Sequence, residues 1–389
     1  MLPTPRAVAQ PAEDVAALKE ALEAQQALNQ KLLERLEAVE AGQAALLAKI
    51  ESVEASVPDS EAFRAERDVI LDDMREEYLD LQEKLDRLPT ISGYYDFEYF
   101  NDDRSDSPGE FRQHHVSLHL SQEWDNWRLF SELEFEFGAR FGGEGGTLLE
   151  ESRGEVKVEQ AWGEYVHSDK LTLRGGLILT PGYWNVNHYP NVVLSTERPL
   201  LVRKIFREAF IGIMAYGTNY WDDFGVTYYA YVGNGQSVFF TKDDDNEGKA
   251  VGGKVTLHLP TGDKLDQLDV GVSFYQESPT DQDRTFAWGF DAQIRKGPWE
   301  VLTEFASRDA QEDRTGFYIQ PSYRFNEKWA TFYRYDLLDL AYAGETQKHT
   351  AGVNYRPIPE ISLKLEYSHA RRSSDEDSNG VAASVAIHF

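Results

Sequence analysis

Cysteine is absent from the 389 residues, so no disulfide can form, which fits an exported protein stabilised by other means. Positive charge is scarce. Against 67 Asp and Glu stand 39 Lys and Arg, a formal net charge of −28 at pH 7. A nucleic-acid partner needs a basic face to neutralise phosphates, and this balance argues against one. Long apolar runs are missing too: none approaches the eighteen or so residues that a transmembrane helix requires. That absence leaves a second route through a bilayer open. A β-barrel alternates lipid-facing with lumen-facing side chains, which averages its mean hydropathy to soluble-like values such as the −0.53 found here.

What the chain does have is aromatic residues, 20 Tyr, 21 Phe and 8 Trp, and two hydrophobic periods. Residues 1–11 read as a processed or disordered start; the Ala7-Val8-Ala9 triplet is of signal-cleavage type, although no charged and apolar regions precede it. Over 12–57 a 3-4 spacing runs through Val15, Leu18, Leu22, Gln25, Asn29, Leu32, Leu36, Val39, Gln43, Leu46, Ile50, Val53 and Val57. This is the heptad seam of a coiled coil, with Gln25, Asn29 and Gln43 as polar layers that set register at some cost in stability. Pro58 ends it, and a second helical segment or linker over 58–90 carries Met74, Tyr78, Leu81 and Leu85 before Pro89. Heptads of this length predict self-association, without choosing between two and three strands.

After Thr90 the period changes to two. In "NWRLFSELEFEFGAR", Leu129, Leu133, Phe135 and Phe137 share one face, and Arg128, Glu132, Glu134 and Glu136 the other. "RTFAWGFDAQIRKG" and "ISLKLEYSH" repeat the pattern. Sixteen such stretches divide 91–389, beginning near Ile91, Phe111, Trp127, Val156, Leu171, Phe210, Phe224, Ala250, Leu268, Thr285, Trp299, Phe317, Trp329, His349, Ile361 and Val381. Links after even-numbered stretches are tight ("WDNW", "HSDK", "WDDF"); links after odd-numbered ones are longer and acidic ("FGGEGGTLLEESRGE", "TKDDDNEGK", "RRSSDEDSN"). Trp127, Phe224, Trp299 and Trp329 each open a stretch just after a tight link, as an aromatic girdle at one membrane interface does. A soluble sandwich also alternates but has no reason for this asymmetry. The expected fold is therefore an all-β transmembrane barrel of sixteen antiparallel strands behind an α-helical coiled-coil stalk. Closure of the last strand, "GVAASVAIHF", on the first would put Phe389 in the girdle, and Pro321 should mark a bulge.

One connection differs from the others. "TPGYWNVNHYPNVVLSTERPLLVRKIFREAF", after the fifth stretch, is the least acidic of the long links. Its Thr-Pro-Gly start and "TERPL" centre resemble the phosphate-selective (O/P-type) and DcaP-like outer-membrane porins, a trimeric superfamily with an N-terminal periplasmic coiled coil. That resemblance implies a homotrimer, a loop folded into the lumen as the constriction, and recognition of the C-terminal strand by the barrel-assembly machinery. By parity, Arg174, Arg295 and Arg334 also face the lumen, opposite an acidic ladder of Glu132, Glu134 and Glu136. With Arg198, Arg203, Lys204 and Arg207 of the loop these residues are the expected selectivity set, Arg198 and Arg203 facing the pore. The lumen mixes arginine with glutamate, unlike the lysine-lined channels of phosphate porins.

Two motifs do not carry chemistry. "DEDSNG" has the start of an EF-hand spacing, but its twelfth position is Ala386, within a strand; a hairpin loop ending in Asn-Gly explains it better. No nucleophile elbow accompanies the nine histidines. We expect no enzyme activity, no cofactor and no metal. The expected function is an outer-membrane diffusion porin for small hydrophilic, charged solutes, anions among them, with outer-membrane lipid and lipopolysaccharide as surroundings. The alternative is an outer-membrane anchor whose periplasmic coiled coil contacts the cell wall.

Overall fold

A computed structural model describes residues 72–80, 88–103, 109–136, 156–235, 248–278, 284–309, 313–373 and 375–389, with six positions between 41 and 52. Two compact units result, residues 1–88 with 141–144, and residues 89–140 with 145–389. In the first, residues 72–80 are helical, with Met74 buried and Tyr78 half-buried at the four-residue spacing expected of the second helical segment. The heptads of 12–57 fall almost wholly outside the described residues.

The second unit is a closed antiparallel barrel. Its strands are β1 (Thr90–Asp102), β2 (Glu110–Trp124), β3 (Trp127–Glu136), β4 (Val156–Ser168), β5 (Leu171–Leu179) and β6 (Ala209–Trp221). There follow β7 (Phe224–Asn234), β8 (Lys249–His258), β9 (Gln267–Glu277), β10 (Thr285–Lys296) and β11 (Trp299–Asp309). The last are β12 (Arg314–Arg324), β13 (Trp329–Leu340), β14 (Gly344–Tyr355), β15 (Ile361–Arg372) and β16 (Asp375–His388). Each strand pairs with its sequence neighbours, and β16 closes on β1 from Tyr94↔His388 to Asp102↔Gly380. Phe389 exchanges two further backbone hydrogen bonds with Gly93, at 2.8 and 3.0 Å, so pairing extends to the last residue. No sheet edge is left unpaired, which is the condition for a sheet in hydrocarbon.

Alternation decides which side faces what. On β10, Phe286, Trp288 and Phe290 are exposed outside while Thr285, Ala287 and Asp291 are buried inside. On β15, Leu363, Leu365 and Tyr367 point out, and Ser362, Lys364, Glu366 and Ser368 point in. At the tight-turn end Trp127 contacts Tyr165, Trp221 contacts Phe224, Trp299 contacts Tyr323 and Trp329 contacts Tyr355, so the girdle is built of cross-strand aromatic pairs.

Three expectations are corrected. Strands β12, β14 and β16 begin at Arg314, Gly344 and Asp375, earlier than the alternation near Phe317, His349 and Val381 shows. The ladder begins in polar residues, Arg314, Glu345 and Asp375 among them, and backbone pairing continues through them although a hydrophobic pattern does not register it. "RRSSDEDSN" is accordingly a tight hairpin, turning between Arg372 and Asp375 rather than at Asn379-Gly380, both of which lie in β16. Pro321 sits at no bulge: Ile319↔Tyr335 and Ser322↔Phe332 keep one register across it, and the ladder to β13 simply lacks two pairs there, at Gln320 and Pro321. Register shifts occur instead at Tyr95/Phe97, Glu132/Leu133, Val166/Ser168 and Ala370/Arg372.

Candidate constriction inside the barrel

The connection between β5 and β6, residues 180–208, is folded into the lumen. It turns at Pro181-Gly182 into a short helix, Tyr183–Asn187, whose Gly182 N-cap has no side chain to satisfy the first amides. Glu304 on β11 does so from across the lumen, accepting hydrogen bonds from the Tyr183 and Trp184 amides at 3.1 Å each. A carboxylate at the positive end of a helix is favourable, and this one fastens the start of the loop.

Apolar residues drive the rest of it inward. Trp184, Leu201, Val202 and Ile205 are buried in one cluster with Ile178, Phe210, Met214, Tyr231, Tyr275 and Tyr318 of the barrel wall. Polar wall residues then take up the loop's backbone groups. Arg334, fully buried, pairs with Asp336 at 2.9 Å and donates to Ser195 Oγ at 2.9 Å and to the Arg198 carbonyl at 3.4 Å. Asp336 accepts from the Leu200 amide at 3.0 Å, Lys364 donates to the Ser195 carbonyl at 3.0 Å, and Glu366 accepts from the Thr196 amide. Lys348 holds the Glu197 carboxylate at 2.8 Å. On the far side, the Tyr189 hydroxyl donates to Glu132 at 3.1 Å and accepts from Gln160 at 2.9 Å. Burial, aided by Glu132, raises the Tyr189 pKa above the usual phenol value; burial lowers that of His188, whose Nδ1–H donates to the Asn185 carbonyl at 2.8 Å.

Between the loop and the β1–β3 wall lies a cavity. Arg198 and Arg203 line it from the loop; Asp96, Glu98, Glu134, His114 and His115 of β1–β3 line it from the wall, joined by Lys364 of β15 and Ser384 of β16 and by no residue of β4. Arg203 adopts a left-handed backbone conformation (φ 64°) and its guanidinium reaches Glu159 at 3.3 Å and Glu208. Opposed signs across such a gap create a transverse field that orients charged or dipolar solutes.

The expected set therefore divides. Arg198, Arg203 and Glu134 share one cavity. Glu136 lies beside Glu134, both 2.9 Å from the Lys157 ammonium. Glu132 is fully buried and bound by Ser117, His119, Gln160 and Tyr189, so it latches the loop and is no open wall. Arg334 is likewise an anchor, enclosed beneath the loop. Arg174 lines a separate cavity with Gln160 and Tyr189, its guanidinium 3.7 Å over the Trp162 ring and 2.8 Å from Glu164. Arg207 turns to the Gly235 carbonyl at 2.6 Å, Lys204 is exposed, and Arg295 is exposed one residue from the tight-turn end of β10.

Parity missed Lys157, Glu159 and His114 because bulges change it. On β4, Glu132↔Gln160 is followed by Leu133↔Val158, so Lys157 and Glu159 face the lumen before the bulge and Gln160 and Glu164 after it. On β2 the same happens at His114-His115. A polar doublet interrupting a strict alternation was the available signal.

No family model matches the chain. A protein of Aquifex aeolicus (strain VF5) described as uncharacterized is 24% identical over 364 residues, 77% of this chain and 80% of that one. Among solved structures, Pseudomonas putida OprB has a TM-score of 0.61 at 9% identity, covering 80% of this chain and 96% of its own. An anion-selective porin from Comamonas acidovorans has a TM-score of 0.57 at 11% identity (78% and 99%). The outer membrane channel DcaP of Acinetobacter baumannii has a TM-score of 0.53 at 11% identity (77% and 97%). At the level of the fold, the barrel is that of the outer-membrane porins, as the resemblance in sequence implies.

Proposed function

We propose that the protein is an outer-membrane diffusion channel for small, charged, hydrophilic solutes, with residues 180–208 forming its constriction. The observation that carries this reading is the cavity in which Arg198 and Arg203 of the loop face Asp96, Glu98 and Glu134 of the wall. A permeant passing there leaves bulk water, so each charge acts on it more strongly than charges on the outer surface do. Acidic groups outside the barrel matter less, because salt screens them beyond about 8–10 Å. A small carboxylate or phosphate meets the arginines, and its partner cation meets the acidic wall. The porin fold supports the outer-membrane setting, and the girdle and apolar belt support contact with lipid and lipopolysaccharide. The heptads of 12–57 support self-association through a periplasmic coiled coil, the resemblance to trimeric porins supports a homotrimer, and the alternating last strand supports recognition by the barrel-assembly machinery.

Reversal potential in a salt gradient across a planar bilayer tests the proposal. Replacing Arg198→Glu together with Arg203→Glu is expected to move the channel toward cation preference. An unshifted reversal potential would place both arginines outside the ion path. The densely packed loop favours one second reading, an anchor with a plugged barrel, and absence of any conductance in the parent protein would select it.

A further inference from the structure

We infer that the bulge on β2 builds a site for a divalent transition-metal cation of the zinc class, with His114, His115 and Asp96 as ligands and Glu98 as fourth donor. The geometry begins with the register shift. Tyr95↔Val116 is followed by Phe97↔Gln113, so Asp96 alone on β1 stands opposite both His114 and His115 on β2. Consecutive strand residues ordinarily point to opposite faces; a bulge removes that rule locally. Both imidazoles consequently face the lumen, with ring centroids 3.5 Å apart.

Donor spacing fits an ion. His115 Nδ1 lies 3.1 Å from Asp96 Oδ1, and His114 Nδ1 lies 2.9 Å from Glu98 Oε2 and 3.9 Å from Asp96 Oδ2. Ligating atoms of Asp96, His114 and His115 all fall within 4.8 Å of one another. Around a tetrahedral ion with bonds of about 2.0–2.1 Å, donors lie roughly 3.3–3.4 Å apart, a spacing the Asp96, His114 and His115 donors approach, while Glu98 meets only His114, at 2.9 Å, and has to turn further to close the shell. Two nitrogens with two carboxylates suit zinc, copper, nickel or cobalt, and disfavour calcium and magnesium, which take oxygen shells.

A second observation points the same way. His115 uses its other nitrogen, Nε2, toward Glu134 at 3.0 Å, which is the carboxylate–histidine–metal arrangement that orients a ligand ring and raises its basicity. Lys157 neutralises Glu134 and Glu136 at 2.9 Å, whereas among the described residues the ion-pair partners of Asp96 and Glu98 are the two histidines. Lys364 of β15 lines the same cavity and is the further positive charge that acts on these two buried carboxylates, so an ion shares their charge with it. His114 is partly open to the cavity that Arg198 lines, so an ion has access from the lumen.

The test uses the full chain in detergent, stripped with chelator, with Zn²⁺ as the added metal, and reads binding independently of conductance. Equilibrium dialysis with metal analysis is expected to give a single strongly held Zn²⁺ per chain. Replacing His114→Gln and His115→Gln together is expected to weaken it by more than about tenfold, and Glu134→Gln, acting only through His115, by about tenfold. Co²⁺ in place of Zn²⁺ is expected to give a visible absorption band that the double variant lacks. If the double variant fails to fold, the single His114→Gln replacement, at the more exposed ring, carries the measurement. Equal Zn²⁺ binding by parent and histidine variants, or no bound Zn²⁺ in the parent, overturns the inference and leaves these groups as ion pairs only.

Discussion

Two stretches of the lumen wall follow the same alternation and differ in how much apolar surface they bury: the first is almost wholly polar, and the second sets a large apolar cluster among charged anchors such as Arg334 and Asp336. Over β1–β4 the buried inward residues include Asp96, Glu98, His115, Ser117, His119, Glu132, Glu134, Glu159, Gln160 and Glu164, with Tyr94 as the large apolar one. Over β5–β13 they include Ile178, Phe210, Met214, Tyr231, Ala250, Tyr275, Ala287, Ala306, Tyr318 and Leu338. The second stretch is built like a protein core because the loop rests on it. Small residues mark the closest approach: a Cβ at Gly316 would meet Leu201 Cβ at 2.9 Å, and one at Gly289 would meet the Phe206 ring at 3.0 Å. In the first stretch Asp96, Glu98, His115 and Glu134 face the cavity, and Glu132 is taken up by the loop. A single loop thus divides one barrel interior into an apolar packed side and a side that holds the charged cavity.

The largest effect is expected at the anchor that joins loop to wall. Arg334→Ala leaves Asp336 buried without its partner and frees Ser195 and Arg198, a loss of about 3–5 kcal/mol in stability. Urea unfolding checks the loss, and current noise from a released loop should accompany it. An unchanged midpoint would show that Arg334 is not a staple. Next, Ile205→Ala on the packed side should cost about 2–5 kcal/mol and raise conductance, because a cavity opens beneath the loop. Unaltered conductance would mean the loop stays seated without that contact.

Smaller changes sharpen the side that holds the cavity. Lys157→Gln removes the cation shared by Glu134 and Glu136, so reversal potential should shift toward cations while the loop remains docked. A shift toward anions would contradict the placement of that wall. The mildest effect concerns pH. His188 is held below its ordinary pKa by burial, so the open chain binds the proton more readily than the docked loop. Docking is therefore fully stable above the ordinary histidine value of about 6.5 and weakens as pH falls through it. Closure events counted between pH 7.5 and pH 5 should rise in the parent and stay level after His188→Gln.

How far residue patterns reach is visible at particular positions. Phe286, Trp288 and Phe290 could be assigned outward from their spacing alone, since lipid contact demands an unbroken period of two. Arg198 and Arg203 stood out as cations in an acidic chain, and both line the cavity. Arg334 looked like any inward arginine of its strand, because the Ser195, Arg198 and Asp336 groups that enclose it are distant in sequence or meet it only once the loop is folded. Pro321 suggested a bulge that backbone pairing tolerates without one. His114, Lys157 and Glu159 were misread or passed over because each lies next to a bulge, where a parity count changes sign.

The sequence by itself determined the barrel, its strand number, the outward belt and the girdle, because these follow from short-range alternation that every registered pairing preserves. Which inward residues meet was decided only by tertiary structure. The path of residues 180–208 depends on apolar contacts and backbone hydrogen bonds to strands more than a hundred residues away, and the two bulges bring His114 beside His115 and Glu159 beside Gln160. Local periodicity contains neither distance nor register, so the charges were legible and their partners were not.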